Sequence, residues 1–398
     1  MSHSGSTPLT TAAQEVIPQL QDAAVACILQ HVPLQQRLSV CAMVCRAWAA
    51  AAVTVTTNID ILFKRSNRCV HLQDWLAKRG GVVVALTAQH SPCAQSISTH
   101  PLRLPVLQLM QLRSLNLSRV KAQLSAQGSS ACSSTRSLRS SGGLTHTRAS
   151  SSSSAGSAAA AAAIGLPQLQ ELALCDCDLN LQLMSQLLSA TTLTKLRWDG
   201  MQLVSRRGTQ RPLAPVFSML GKLTGLQELH LREPVYPYPS AEQGAQELLT
   251  ALQHLTQLRH LDLYRCLLCS ARPQQQGGGG YQCFSALTAS THLTALKISE
   301  WNLVTSEWDG VPVPQAAFNH MFPAGHVLPH LKQLTLQGAI GCRQHCVELA
   351  QLSRVAASCP ALQNVSLFWV TPAGFGSDSK CSLQLPPCQI DVRGSCGP

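Results

Sequence analysis

The chain has 398 residues, of which 12% are charged and 4% aromatic, with a formal net charge of +11. That length exceeds what one compact core needs unless the chain is an elongated repeat stack, and the scarcity of aromatics agrees, because leucine ladders fill the core of such a stack. The excess of positive over negative charge falls within residues 61–163, so the nearly neutral stretch 164–398 argues against a basic groove for nucleic acid.

No apolar run approaches the ~20 residues that a membrane-spanning helix requires. The opening "MSHSGSTPLTTAAQ" has neither the basic nor the apolar part of a secretory signal. Seventeen cysteines, an odd number on a large chain without such a signal, are expected as buried, reduced thiols in the cytoplasm or nucleus.

In chain order, residues 1–16 are expected to be a disordered tail and residues 17–56 a helical module. Asp22 is a candidate N-cap, Val25, Ile28, Leu29 and Val32 share one helical face, and Pro33 marks the stop. A short helix from Gln35 to Ser39 and a third over 42–52 follow. Three such helices make a poor core alone, so an apolar face is expected to dock onto a partner. Residues 57–121 are expected to hold linker helices and a first repeat, and the Ser/Ala-rich stretch 122–163 is expected to be disordered, since it has too little apolar surface to offset the entropy of ordering.

The remainder, 164–398, is dominated by a repeat. Segments of the form L-x-x-L-x-L begin at Leu112, Leu169, Leu193, Leu226, Leu258, Leu293, Leu331 and Leu362, with Trp198, Ile298 or Val365 replacing a leucine in three of them. Each predicts one short parallel strand whose leucines point into a core while the x positions face the other way. Return segments such as "AQELLTALQHL" (245–255) would follow. Cys177 and Cys266 occupy the Asn/Cys position of the longer pattern. The pattern resembles leucine-rich repeats, which implies an α/β solenoid with parallel strands on a concave face.

The helical module carries a second resemblance. Leu20, Ile28-Leu29, Val32-Pro33 and Val44-Cys45-Arg46-Ala47-Trp48 stand in the register of an F-box, with Gln21 where that family usually has proline. F-box and leucine-rich repeats in this order resemble F-box/leucine-rich-repeat proteins of the plant or green-algal type. The resemblance implies a small all-α three-helix module that binds a Skp-type adaptor and, through it, a cullin scaffold. It carries over Leu20, Ile28, Leu29, Val32, Pro33, Leu34, Leu38, Val44 and Trp48, some as adaptor contacts and some as packing.

A protein target would meet the x positions of the strands. Interface anchors favour Tyr, Trp and Arg, which makes Arg197, Arg232, Tyr264 and Phe368 the candidates. The Pro- and aromatic-containing stretches "VYPYP" (235–239) and "SEWDGVPVP" (306–314) are further candidate loops. Chemistry finds no support. The C-x-x-C at Cys266–Cys269 lacks a second ligand pair, "LGKLT" lacks the glycines of a phosphate loop, and there is no G-x-S-x-G elbow. The expectation is a non-enzymatic adaptor with no metal, cofactor, small-molecule substrate, nucleic acid or membrane. A leucine-rich scaffold without a ubiquitin role, cytoskeletal or axonemal, is the alternative.

Overall fold

The structure is a computed structural model that describes residues 22–40, 43–44, 46–63, 68–91, 101–125, 166–179, 181–200, 202–203, 214–234, 241–269, 279–299, 302–303, 319–337, 345–347, 349–368, 370–372, 381–385 and 388–393. The chain divides into two compact units, residues 1–57 and 58–398.

The first unit holds α1 (Asp22–Gln30), α2 (Leu34–Ser39) and α3 (Arg46–Thr54). Its core is Val25, Leu29 and Ala52, with Val32, Trp48, Ala51 and Val55 packed against it. Three expectations are corrected here. Asp22 is the first residue of α1 and not a cap outside it, and the third helix begins at Arg46 instead of 42. Ile28 leaves the predicted buried face and is 45% exposed, lying about 60° round the helix from Val25 where Leu29 lies about 40° to the other side, and Val32 lies beyond the end of the helix.

The second unit is built on a twelve-stranded sheet. In chain order its elements are β1 (Asn58–Phe63), α4 (Arg68–Arg79), β2 (Ala85–His90), β3 (Leu102–Pro105), β4 (Ser114–Ser118), β5 (Ala122–Ser125), β6 (Glu171–Cys175), β7 (Asp178–Leu179), α5 (Leu181–Leu187), β8 (Lys195–Asp199), β9 (Gln202–Leu203), α6 (Ala214–Leu220), β10 (Glu228–Arg232), α7 (Ala241–His254), β11 (His260–Tyr264), β12 (Leu267–Cys269), β13 (Ala295–Ser299), β14 (Asn302–Leu303), β15 (Gln333–Gln337), β16 (His345–Val347), α8 (Leu349–Ser358), β17 (Asn364–Phe368), β18 (Val370–Pro372), β19 (Cys381–Leu385) and β20 (Cys388–Arg393). The sheet order is β1-β2-β4-β6-β8-β10-β11-β13-β15-β17-β20-β19. All neighbours pair in parallel except β19, which turns back antiparallel on β20. A parallel sheet that adds one strand per L-x-x-L-x-L segment is the architecture of a leucine-rich-repeat solenoid.

Each of the eight predicted segments is a strand of this sheet, and the array reaches two strands further toward the N-terminus. β1 and β2 occupy the stretch expected to be linker. They follow the same plan with weaker letters, Thr56/Ile59/Ile61 and Val83/Leu86/Ala88. A second correction concerns the Ser/Ala-rich segment, expected to be disordered from 122. Ala122–Ser125 instead forms β5, paired in parallel with β3, and Ala122 is buried. Local composition is a poor guide there, because the neighbouring strand supplies the hydrogen bonds. Residues 126–165 lie outside the described residues, as do the two Pro-containing loops at 235–239 and 306–314.

Repetition is visible in the hydrogen bonds. At the start of each of the eight L-x-x-L-x-L strands two successive N–H groups donate to one carbonyl of the preceding repeat, as Thr194 and Lys195 do to Gln170, and Gln227 and Glu228 do to Thr194. At the ends of β4, β6, β8, β10 and β11 the chain turns through a left-handed residue: Arg119, Asp176, Gly200, Glu233 and Arg265, with φ between 47° and 58°. The N–H of each donates to the last strand residue of the next repeat, for example Asp176 to Asp199 at 2.9 Å and Gly200 to Arg232 at 2.9 Å. Four of these five are not glycine, so the turn is held by the ladder against a local conformational cost.

Candidate interaction surfaces

The helical unit is organised by one side chain that sequence reading passed over. Arg37, on α2, donates to Gln30 O (3.2 Å) in the last residue of α1 and Val32 O (2.9 Å) just past it, and to Val55 O (3.3 Å) and Thr56 Oγ1 (3.5 Å) beyond the end of α3. A guanidinium has the fork of donors for this, and both helix ends present unsatisfied carbonyls and negative dipole character to it. Its signal in the sequence is faint: one arginine two residues after "PLQ".

With the unit so closed, the residues carried by the F-box resemblance separate into two sets. Leu29 is fully buried, and Val32 and Trp48 pack against the core. Leu34 and Leu38 are half-buried and Pro33 is exposed. Val44 is exposed, and it lies in a turn with Val40 and Met43, closed by the Met43 N–H donating to Val40 O at 3.0 Å. These three side chains are each at least 60% exposed. Large apolar groups displayed this openly on so small a unit are a mark of a docking surface. Leu20 lies outside the described residues.

In β4, β6, β8, β10 and β15 the leucines point into the core and the x positions face the other way, with alternating burial, while in β11 and β13 the x residues Asp262 and Ser299 are themselves buried. Parallel in-register pairing lines equivalent x positions up across the sheet: Ala173, Arg197, His230, Asp262, Lys297 and Thr335 in one row, and Cys175, Asp199, Arg232, Tyr264 and Ser299 in the next. Three of the four expected target-binding residues, Arg197, Arg232 and Tyr264, therefore sit on adjacent strands. Phe368 is separate from them: it ends β17, opposite Gln337 and Arg393.

Charge pairs bind these rows together. Asp262 is reached by Arg232 at 3.1 Å, His230 at 3.5 Å and Lys297 at 3.8 Å. Burial pushes its carboxyl up, but hydrogen bonds from His230 and Arg232 and the charge of Lys297 outweigh this and hold it below the usual carboxylate range. Arg197 contacts Asp199 at 2.7 Å. Arg232 and Arg265 lie 6.0 Å and 5.2 Å from the centre of the Tyr264 ring, within or near cation–π range.

The repeat-position cysteines are core groups. Cys177 Sγ donates to Leu117 O at 3.2 Å and Cys175 O at 3.3 Å, and Cys266 Sγ donates to Leu231 O at 3.5 Å. Burial pushes the Cys177 thiol up to about 11 and the Cys266 thiol higher still. Cys27, on α1, is exposed. A maleimide pulse at pH 7.5 on the native chain, read by peptide mass spectrometry, is expected to label Cys27 within minutes and leave Cys177 and Cys266 unlabelled, because the thiolate is the reactive form. Labelling of all three at one rate would contradict this placement. Among the described residues no three His, Cys, Asp or Glu side chains gather as metal ligands would, and no helix is long and apolar enough to cross a membrane.

No family model matches the chain, and no curated protein is similar to it. Among solved structures it is similar to an internalin from Listeria monocytogenes, with 13% identity and a TM-score of 0.36, over 87% of this chain and 80% of that one. It is also similar to the leucine-rich-repeat ectodomain of a plant membrane receptor kinase from Arabidopsis thaliana, solved in complex with Casparian strip integrity factor 2. There the identity is 13% and the TM-score 0.31, over 81% of this chain and 38% of that one. The fold rests on the strand order and the repeated hydrogen bonds themselves.

Proposed function

We propose that the chain is the substrate-recognition adaptor of a Skp–cullin–F-box ubiquitin ligase. The helical unit takes a Skp-type adaptor, which links it to a cullin scaffold, and the repeats hold a protein target. The observation that most supports this reading is the exposed apolar turn of Val40, Met43 and Val44, which falls where the F-box resemblance runs into its Val-Cys-Arg-x-Trp ending. The chain then acts in the cytoplasm or nucleus by proximity, raising the effective concentration of target lysines near a charged ubiquitin. It performs no bond chemistry and uses no cofactor.

The test is capture of the chain by purified Skp adaptor. Val44→Asp is expected to weaken capture at least tenfold while leaving the thermal melt unchanged. Val44 packs little in the free chain, whereas an unpaired carboxylate buried in an apolar interface costs several kcal/mol. A folded wild type that is not captured would overturn the adaptor reading. The second reading, a protein-binding scaffold without a ubiquitin role, would then follow from the regular polar face of the sheet, which does not depend on the helical unit.

A further inference from the structure

The solvent-facing side of the sheet carries its charges at two depths. The side chains of Asp199 and Asp262 are 18% and 11% exposed, while those of Arg197, Arg232 and Lys297 are between 39% and 53% exposed. Asp262 receives its partners through one oxygen, whereas Asp199 uses both, with Arg232 Nε 3.9 Å from its Oδ1. Asp199 Oδ2 takes Arg197 and the Cys175 thiol, and Asp262 Oδ2 takes Arg232, His230 and Lys297. The carboxylates thus lie at the base and anchor the cations above them. Solvent meets two guanidinium groups and an ammonium, beside the Tyr264 ring.

The patch has clear edges. The same rows on neighbouring strands are neutral: Asn116, Ala173 and Cys175 on one side, Thr335 and Gln337 on the other. Toward the strand starts, Lys195 is outnumbered by two carboxylates, Glu171 at 3.6 Å and Glu228 at 3.4 Å, so that row is not cationic. On β8, β10, β11 and β13 these two rows therefore carry three cations over two carboxylates, an excess of one positive charge, with the cations outermost.

We propose that this patch binds a carboxylate-rich segment of the protein target, with Arg197, Arg232 and Lys297 meeting its acidic side chains beside Tyr264. This deepens the reading that the repeats hold a target, and it does not depend on what the helical unit binds. Guanidinium groups suit carboxylates because two parallel N–H donors match the two oxygens. Buried anchors suit the task because side chains already held in place lose less freedom on binding.

Fluorescence anisotropy on the full chain tests this with two labelled probes, an alternating Glu-Gly peptide and its Lys-Gly counterpart. The Glu-Gly peptide is expected to bind saturably and the Lys-Gly peptide not to bind. Arg232→Gln and Lys297→Gln are each expected to weaken binding about tenfold, and Lys195→Gln to leave it unchanged. Lys297→Gln keeps the result interpretable if Arg232→Gln unfolds, since Lys297 makes the longest of the Asp262 contacts, and circular dichroism checks both. Absence of saturable binding by the folded chain overturns the proposal. So does an equal loss in Lys195→Gln, which would mean that net charge alone is being read. Capture by the Skp adaptor reads a different unit, so failure of either experiment leaves the other standing.

Discussion

Replacing Arg37 with alanine is expected to unfold the N-terminal helical unit and, with it, capture by the Skp adaptor. The guanidinium donates to four acceptors that belong to the ends of two helices. Removing it takes away all four contacts, although Thr56 Oγ1 keeps its bond to Ala52 O at 2.6 Å, and hydrogen bonds to a charged group contribute about 1.5–3 kcal/mol each. Even with water replacing some partners, a loss of about 3 kcal/mol is expected. A unit whose buried core is Val25, Leu29 and Ala52 has little more than that in reserve. Limited proteolysis measures the outcome directly: cleavage should appear within residues 22–57 of Arg37→Ala at protease levels that spare the wild type. Arg37→Lys should recover only part of the protection, because one ammonium cannot span four acceptors on two helices. Resistance equal to wild type in Arg37→Ala would show that helix packing suffices. The pairing of this variant with Val44→Asp matters for function: both should lose capture, but only Arg37→Ala should lose its fold.

Trp198→Ala is expected to destabilise the repeat unit by about 3–5 kcal/mol, the cost of removing a large aromatic from a packed interior. Trp198 stands where the repeat calls for leucine in β8, is 1% exposed, and meets Phe217 of α6 with ring centres 5.9 Å apart. Its indole N–H has no acceptor among the described residues. Trp198→Phe should therefore be close to neutral, since it keeps most of the packing and removes a buried donor that costs free energy when unpaired. Denaturant titration of both variants checks the pair of results. Because each repeat is stabilised by its neighbours, the alanine variant should also broaden the transition. A Phe variant as damaged as the Ala variant would mean that the N–H has a partner and that the packing argument is incomplete.

The repeats were legible because their signal is redundant. Eight segments repeat one pattern, and each tolerates a Trp, Ile or Val at a leucine site without hiding the rest. β1 and β2 escaped notice because Thr56, Ala88 and Val83 satisfy the same burial with smaller or polar side chains. Such positions are recognisable only from the neighbour they pair with. β5 escaped for the opposite reason: "AQLS" runs directly into a serine-rich stretch and shares its composition. The expectation of buried cysteines holds for Cys177, Cys266 and Cys359 but not for Cys27, which is exposed on α1, or Cys175, which is half-buried at a solvent-facing strand position.

At the candidate surfaces, the sequence identified which strands would carry Arg197, Arg232 and Tyr264 but not that Asp199 and Asp262 lie beneath them. Depth depends on how far each side chain extends from a shared backbone plane, and short aspartates beside long arginines settle low. The F-box-like residues could be named together but not divided. Leu29, Val32 and Trp48 are drawn inward by the packing of α1 on α3, while Val40, Met43 and Val44 are left outside by a turn whose course no periodicity encodes.

The sequence by itself determined the repeat, the direction of its strands and the face each side chain takes, because alternation along a strand is a local property of the backbone. Tertiary structure decided the rest: which carbonyls Arg37 joins, which apolar residues of the helical unit stay in water, and which of the charges on the sheet are presented to a partner. Those outcomes depend on distances between residues far apart in the chain, and only the folded arrangement of helices and strands sets them.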